Sequence, residues 1–178
     1  GLGAVAKTLS MDMRANDRAW LKMKLDALAL TVGDDGFDMR MPPHGEKKRV
    51  PSMVSALGQV VRWRCEALKA FDDAGASPLL DAMFSRQEPR TGTSGTLAWA
   101  VDIDNPATGE RFTLTLKEVT LNAHDGSTIT RPCAVGLSGN YPRALDGLAR
   151  LLSLDMRVID PAWIGMKLRK LLNYAEPL

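Results

Sequence analysis

Three features of this sequence predict an α+β fold: a three-stranded antiparallel sheet with helices packed on one face, preceded by a helical N-terminal half. Apolar residues fall at spacings of three and four over residues 51–71 and again after residue 141. Between these stretches, from Thr96 onward, they alternate every second residue. Asn-Pro and Asp-Gly steps then cut the alternating run into strands, and strands followed by helices give an α+β layer.

Taken in order, residues 1–14 are read as a tag scar or disordered N-terminus, with Gly1 as a cleavage scar or trimmed end. Residues 15–178 then form a single domain. Over Ala15–Val32, Leu21, Leu25 and Leu28 have helical spacing, while Leu21, Met23 and Leu25 alternate with Lys22 and Lys24 as in a strand. The abundance of Ala, Leu, Met and Lys tips the reading to helix. Gly33-Asp34-Asp35-Gly36 ends it, and Met41-Pro42-Pro43-His44-Gly45 is a loop. Pro51–Phe71 is a helix with Val54, Leu57, Val61, Cys65 and Leu68 on one stripe, and residues 15–88 as a whole are read as helical. Ser77 caps a further helix that has Pro78 at its first position and runs to Phe84.

The sheet is expected over residues 95–137. Leu97, Trp99, Val101 and Ile103 are expected to form one buried face, and Phe112, Leu114 and Leu116 answer them across the Asn105–Gly109 turn. Pro132 in the third strand implies an edge position or a bulge. Two helices follow over 141–174, the first with Leu145, Leu148, Leu152 and Met156 on one face, the second opened by Asp160-Pro161. The chain shows no internal repeat on this reading.

Composition narrows the function. Of 178 residues, 45% are hydrophobic and 25% charged, the balance of a globular domain with a core of its own. No run approaches the roughly 18 apolar residues of a membrane span, and no leader is evident, so a cytoplasmic location is expected. Cys65 and Cys133 are too few for a disulfide scaffold or a cysteine-built zinc site, and His44 and His124 lie in turns without partners. Both cysteines are read as packing residues. The net charge of +2 is too even to point to nucleic acid by itself. Seven basic residues between Arg40 and Lys69 nevertheless face only Glu46 and Glu66, either as a solvated surface or as a meeting place for phosphate or an acidic partner. Thr91–Thr96 is rich in glycine and hydroxyls but lacks the P-loop ending and leads into a strand, so it is no phosphate cradle. Asp102 and Asp104 form an outward pair on one strand.

Arg143, Arg150 and Arg157 recur every seven residues along one helix edge, with Asp146 placed to pair with Arg150. They are either a salt-bridged exposed edge or a basic ridge for a nucleotide or a protein partner.

The run Arg150-Leu151-Leu152-Ser153-Leu154-Asp155-Met156-Arg157, followed by Asp160-Pro161 and Lys167-Leu168-Arg169, resembles the C-terminal (TSCPD-type) domain of adenosylcobalamin-dependent, class II, ribonucleotide reductases. In that family a Gly-Arg-Leu-Ile-Ser-Leu-Ala-Leu-Arg helix precedes a second helix opening on Asp-Pro. Here Arg150, Leu151, Ser153, Leu154 and Arg157 match it position by position, and Gly95-Thr96-Leu97 resembles the Gly-Asn-Leu that opens the family's first strand. Val50–Val54, Trp63-Arg64 and the stretch from Tyr141 to Pro177 resemble the version encoded as a separate small subunit. The chain departs from the family where a cysteine precedes the first strand, having Thr93-Ser94-Gly95, and it lacks a C-terminal cysteine pair.

The resemblance implies an accessory, non-catalytic subunit that binds the large catalytic reductase subunit in deoxyribonucleotide synthesis. It puts no cofactor on this chain and expects adenosylcobalamin on the partner; an effector nucleotide is a further possible ligand. No catalytic, cofactor-binding or metal residue is assigned. Arg62, Arg143 and Arg157 are the expected partner contacts, since interfaces favour arginine. A free-standing nucleotide or nucleic-acid binding module is the alternative. The proline close behind the last helix also suggests a native chain that continues past Leu178.

Overall fold

In the computed structural model, residues 1–174 are described; expectations that fall on Ala175–Leu178 lie outside them. The α+β reading holds. A sheet of β3 (Ala98–Asn105), β4 (Glu110–Asn122) and β5 (Thr128–Asn140) is antiparallel in that order, and α5 (Ala144–Met156) packs against β5. Pro132 sits at a bulge on the edge strand, where the register slips between Lys117 and Glu118. The last helix, α6 (Pro161–Leu172), opens as expected, with the Asp160 carboxylate accepting from Ala162 N at 3.0 Å.

The N-terminal half differs in four places. Residues 2–14 are neither scar nor disorder: they form α1 (Leu2–Arg14), whose Val5 and Leu9 lie in the main core with Leu25, Leu28, Val54 and Leu151. Second, residues 15–88 are not wholly helical. Between α2 (Arg18–Ala29) and α3 (Met53–Ala67), β1 (Phe37–Met41) and β2 (Glu46–Val50) make a hairpin, and the Met41–Gly45 segment is its turn. Third, the Ser77 helix is the single turn α4 (Pro78–Asp81), short of Phe84. The start of α3 also shifts: Ser52 caps it by accepting from Ser55 N at 3.0 Å, leaving Pro51 outside.

The structure also overturns the absence of a repeat. From Leu9 to Leu28, twelve of twenty residues recur 143 positions later, among them Ser10/Ser153, Asp12/Asp155, Arg14/Arg157, Trp20/Trp163 and Lys24/Lys167. The pair α1–α2 is thus a copy of α5–α6, and the two copies meet around a buried charge network with an approximate two-fold relation. Lys24 Nζ lies 2.7 Å from Asp155 Oδ1, and Lys167 Nζ 2.7 Å from Asp12 Oδ1. Lys24 also donates to the Leu151 carbonyl at 3.2 Å, and Lys167 to the equivalent Thr8 carbonyl at 3.1 Å. Each indole N–H reaches the aspartate of its own copy, Trp20 to Asp12 at 2.8 Å and Trp163 to Asp155 at 2.7 Å, with the two rings edge to face at 6.0 Å. All four charged side chains are fully buried. Burial, with Lys24 close by, holds the Lys167 ammonium below its usual range. Two lysines and two aspartates cancel in net charge, which is what makes their burial tolerable.

Candidate functional site

An open cleft of about 770 Å³ lies between β5, α5 and the segment following α2. The pieces that shape it follow from the sequence locally. Gly33 and Asp34 turn the chain away from α2, and Pro142 and Arg143 turn β5 into α5. Val135 and Leu137 supply its apolar floor, with Ala149 and Ser153 from the helix.

Its polar groups are matched in charge. Arg143 pairs with Asp34 at 3.2 Å and stacks over Tyr141, its guanidinium 4.8 Å from the ring centroid. Tyr141 Oη donates to Asp146 at 2.6 Å, and that hydrogen bond, ahead of burial, raises the phenol above its ordinary range. Asp146 therefore serves Tyr141, not Arg150 as its position four residues earlier suggested. Arg150 is exposed on the rim. Asp34, Asp146 and Glu88 share the lining with Arg143, Arg150 and Arg157, so the cleft carries no positive surplus of the kind a polyphosphate needs.

Of the three expected contacts, the structure leaves two at the surface. Arg143 is 40% exposed at the cleft. Arg62 lies on α3, half-buried, with its guanidinium 3.1 Å from Asp26. Burial of Asp26 works against its charge, and hydrogen bonds from Lys22 and Arg62 outweigh it, holding the carboxyl below its usual range. Arg157, expected on an exposed edge, is instead 4% exposed. It donates to the carbonyls of Ser85, Cys133, Ser153 and Arg86 at 3.1–3.2 Å, riveting the 85–86 segment, β5 and α5 together. A seven-residue recurrence drifts around a helix by about 20°, and the sheet closes over the end of α5 where Arg157 lies. Tyr141, Asp34 and Glu88 were not singled out from sequence; the first two sit in turn segments whose spatial partner is another loop, which periodicity does not register.

The Arg40–Lys69 basic cluster divides. Arg40, Lys47, Lys48 and Arg49 form an exposed basic hairpin, whereas Arg62 and Arg64 belong to α3. Arg49 is 3.6 Å from Asp38, an exposed pair worth little. His44 is in the hairpin turn and His124 between β4 and β5. Among the described residues no three His, Cys, Asp or Glu side chains gather as metal ligands.

Burial raises the Cys133 thiol above its ordinary range, and burial, aided by Glu66, raises that of Cys65, so both are held as neutral thiols. Serine at each is expected to leave any partner-dependent activity intact. Cys133, fully buried, is expected to lose about 1–3 kcal/mol in chemical denaturation, and half-buried Cys65 less. Loss of activity in a serine variant of unchanged stability would restore a redox role.

Fold and cleft together define an α+β protein built on a duplicated helix pair, with an open, charge-balanced surface cleft. Comparison with family models, with curated proteins and with solved structures finds no match for this chain. Among the described residues no helix is long and apolar enough to cross a membrane.

Proposed function

We propose that this chain is an accessory, non-catalytic subunit of an adenosylcobalamin-dependent ribonucleotide reductase, binding the large catalytic subunit and supporting deoxyribonucleotide synthesis in the cytoplasm. The family reading rests on the helix motif from Arg150 to Arg157 with Asp160-Pro161 behind it. The single structural observation in its favour is the cleft: arginine and tyrosine on an apolar floor, balanced by carboxylates, suit a protein segment better than a phosphate chain. In this reading the cobalamin and radical chemistry belong to the partner, and no step is routed through this chain. Arg62 and Arg143 remain the proposed contacts, while Arg157 serves the fold.

A specific observation favours the alternative of a nucleic-acid or nucleotide binding module: the exposed basic hairpin of Arg40, Lys47, Lys48 and Arg49. Salt separates the two, because phosphate contacts release counterions and weaken steeply with salt. Adding the chain to a large reductase subunit supplied with adenosylcobalamin and a dithiol is expected to stimulate turnover. The variant Arg62→Glu/Arg143→Glu is expected to bind that subunit at least tenfold more weakly, while it still folds and loses only modest thermal stability from the broken Asp26 and Asp34 pairs. Equal binding by the double variant would remove these contacts. Failure of the parent chain to bind or stimulate, with salt-sensitive binding to nucleic acid instead, would overturn the subunit reading.

A further inference from the structure

The second copy of the helix pair shows what the outward face of the first is shaped to hold. On α5, Ser153 and Arg157 stand one turn apart and cap the outer edge of β5. Ser153 Oγ accepts from Val135 N at 2.8 Å, and Arg157 Nη1 donates to the Cys133 carbonyl at 3.1 Å. Their counterparts on α1 are Ser10 and Arg14. Ser10 Oγ donates to the Ala6 carbonyl at 2.9 Å, as Ser153 does to Ala149 at 2.7 Å, and its acceptor capacity is left for a donor from outside. Arg14 is exposed and makes no hydrogen bond or ion pair among the described residues. Beside them Met13 is 44% exposed, whereas its counterpart Met156, under the sheet, is 6% exposed. The α1 face thus carries the strand-capping pair without a strand.

The same chain carries a strand edge without a cap. Among the described residues β3 is hydrogen-bonded only to β4, and every residue in it but Val101 is exposed. The Leu97 carbonyl accepts from Glu118 N at 3.1 Å, so by alternation the peptide groups of Ala98, Ala100 and Asp102 turn away from β4. The outward Ala98 carbonyl and Ala100 N–H repeat the two-residue spacing of the Cys133 carbonyl and Val135 N–H, and their methyl side chains admit a helix closely. Charge agrees. Asp102 has no basic partner among the described residues, while α1 presents Lys7 and Arg14 and buries its one acid, Asp12. An uncovered edge of this length invites pairing, and proteins normally cover it.

We propose that α1 seats the β3 edge of a second copy of this chain, with Ser10 accepting from Ala100 N–H, Arg14 donating to the Ala98 carbonyl, and Lys7, one turn before Ser10, on the Asp102 side. The contact covers Leu97 and Trp99, which are 73% and 52% exposed in the single chain. Exchanged in both directions, it closes a two-fold dimer. This inference does not depend on the reductase reading.

Sedimentation equilibrium of the full chain over a wide concentration range tests it. The parent is expected to reach dimer mass. Arg14→Glu and Ala100→Pro should each raise the dissociation constant at least tenfold. Proline at 100 removes a donor that β4 does not use, so circular dichroism and thermal unfolding should match the parent. Should Ala100→Pro fail to fold, Arg14→Glu decides, together with Lys7→Glu, which should weaken association, and Lys7→Glu/Asp102→Arg, in which the swapped charges should recover it. A parent that stays monomeric at every concentration would overturn the proposal and give the α1 face to a different chain. So would a dimer whose mass neither substitution shifts.

Discussion

Asp12→Asn is expected to lower unfolding stability by about 3–5 kcal/mol, the cost of breaking a buried ion network by removing one partner. The substitution keeps the side chain's size, so it isolates charge from packing. With Asp12 neutral, Lys24 and Lys167 share the single carboxylate of Asp155, and no water reaches any of them, since all are fully buried. The near two-fold relation adds a control: Asp155→Asn should cost a similar amount, because each aspartate makes one ion pair at 2.7 Å to the lysine of the other copy. Replacing all four charges together with apolar residues of similar volume should cost far less than either single change, because no unpaired charge then remains. Urea denaturation of the singles and the quadruple variant checks this. A single-variant loss under about 1 kcal/mol would mean that the network is solvated in solution.

That network also marks where sequence reading reached its limit. The sheet and the α5–α6 pair were legible because period and caps agree there. Leu97, Trp99, Val101 and Ile103 alternate as a strand does, although the face expected to be buried is exposed in the single chain except at Val101, and Asp160-Pro161 opens a helix as its cap chemistry predicts. Lys24 enters the sequence only as a polar position in an ambiguous run read as helix, and nothing local marks it as buried, since a buried lysine is stable only with its acids beside it. Those acids are Asp12, in a segment set aside as a scar, and Asp155, 131 positions away. The copies of the helix pair are separated by an entire sheet, so their likeness is no short period, and the helical and strand patterns between them conceal it. The β1–β2 hairpin was missed for a different reason. β1 does alternate, with Phe37, Met39 and Met41 half-buried between exposed Asp38 and Arg40, but five residues ahead of a Pro-Pro step are a short signal, and β2 buries only Val50. At the cleft, arginine spacing located Arg143 and Arg150 correctly but could not tell that the sheet covers Arg157.

Arg157 provides the second large effect. Arg157→Met keeps much of the side chain's apolar stem and removes the guanidinium, leaving the carbonyls of Ser85, Arg86 and Cys133 without the donor that now serves them. At about 1–3 kcal/mol for each buried group stranded, with water able to rescue those near the surface, a loss of about 2–4 kcal/mol is expected. Burial pulls this guanidinium below its ordinary range, yet an arginine stays charged at any working pH, so the loss should not vary between neutral and mildly alkaline conditions. Hydrogen exchange should locate the damage in β5 and the 85–86 segment, since these are what Arg157 ties to α5. Its counterpart Arg14→Met, on the same motif but without a strand to cap, should change the stability of the single chain by no more than about 0.5 kcal/mol. The contrast between two arginines in matching positions is the informative quantity. Equal losses would mean that Arg157 acts through its own helix alone, and that the Ser-and-Arg pair does not work as a cap for strand edges.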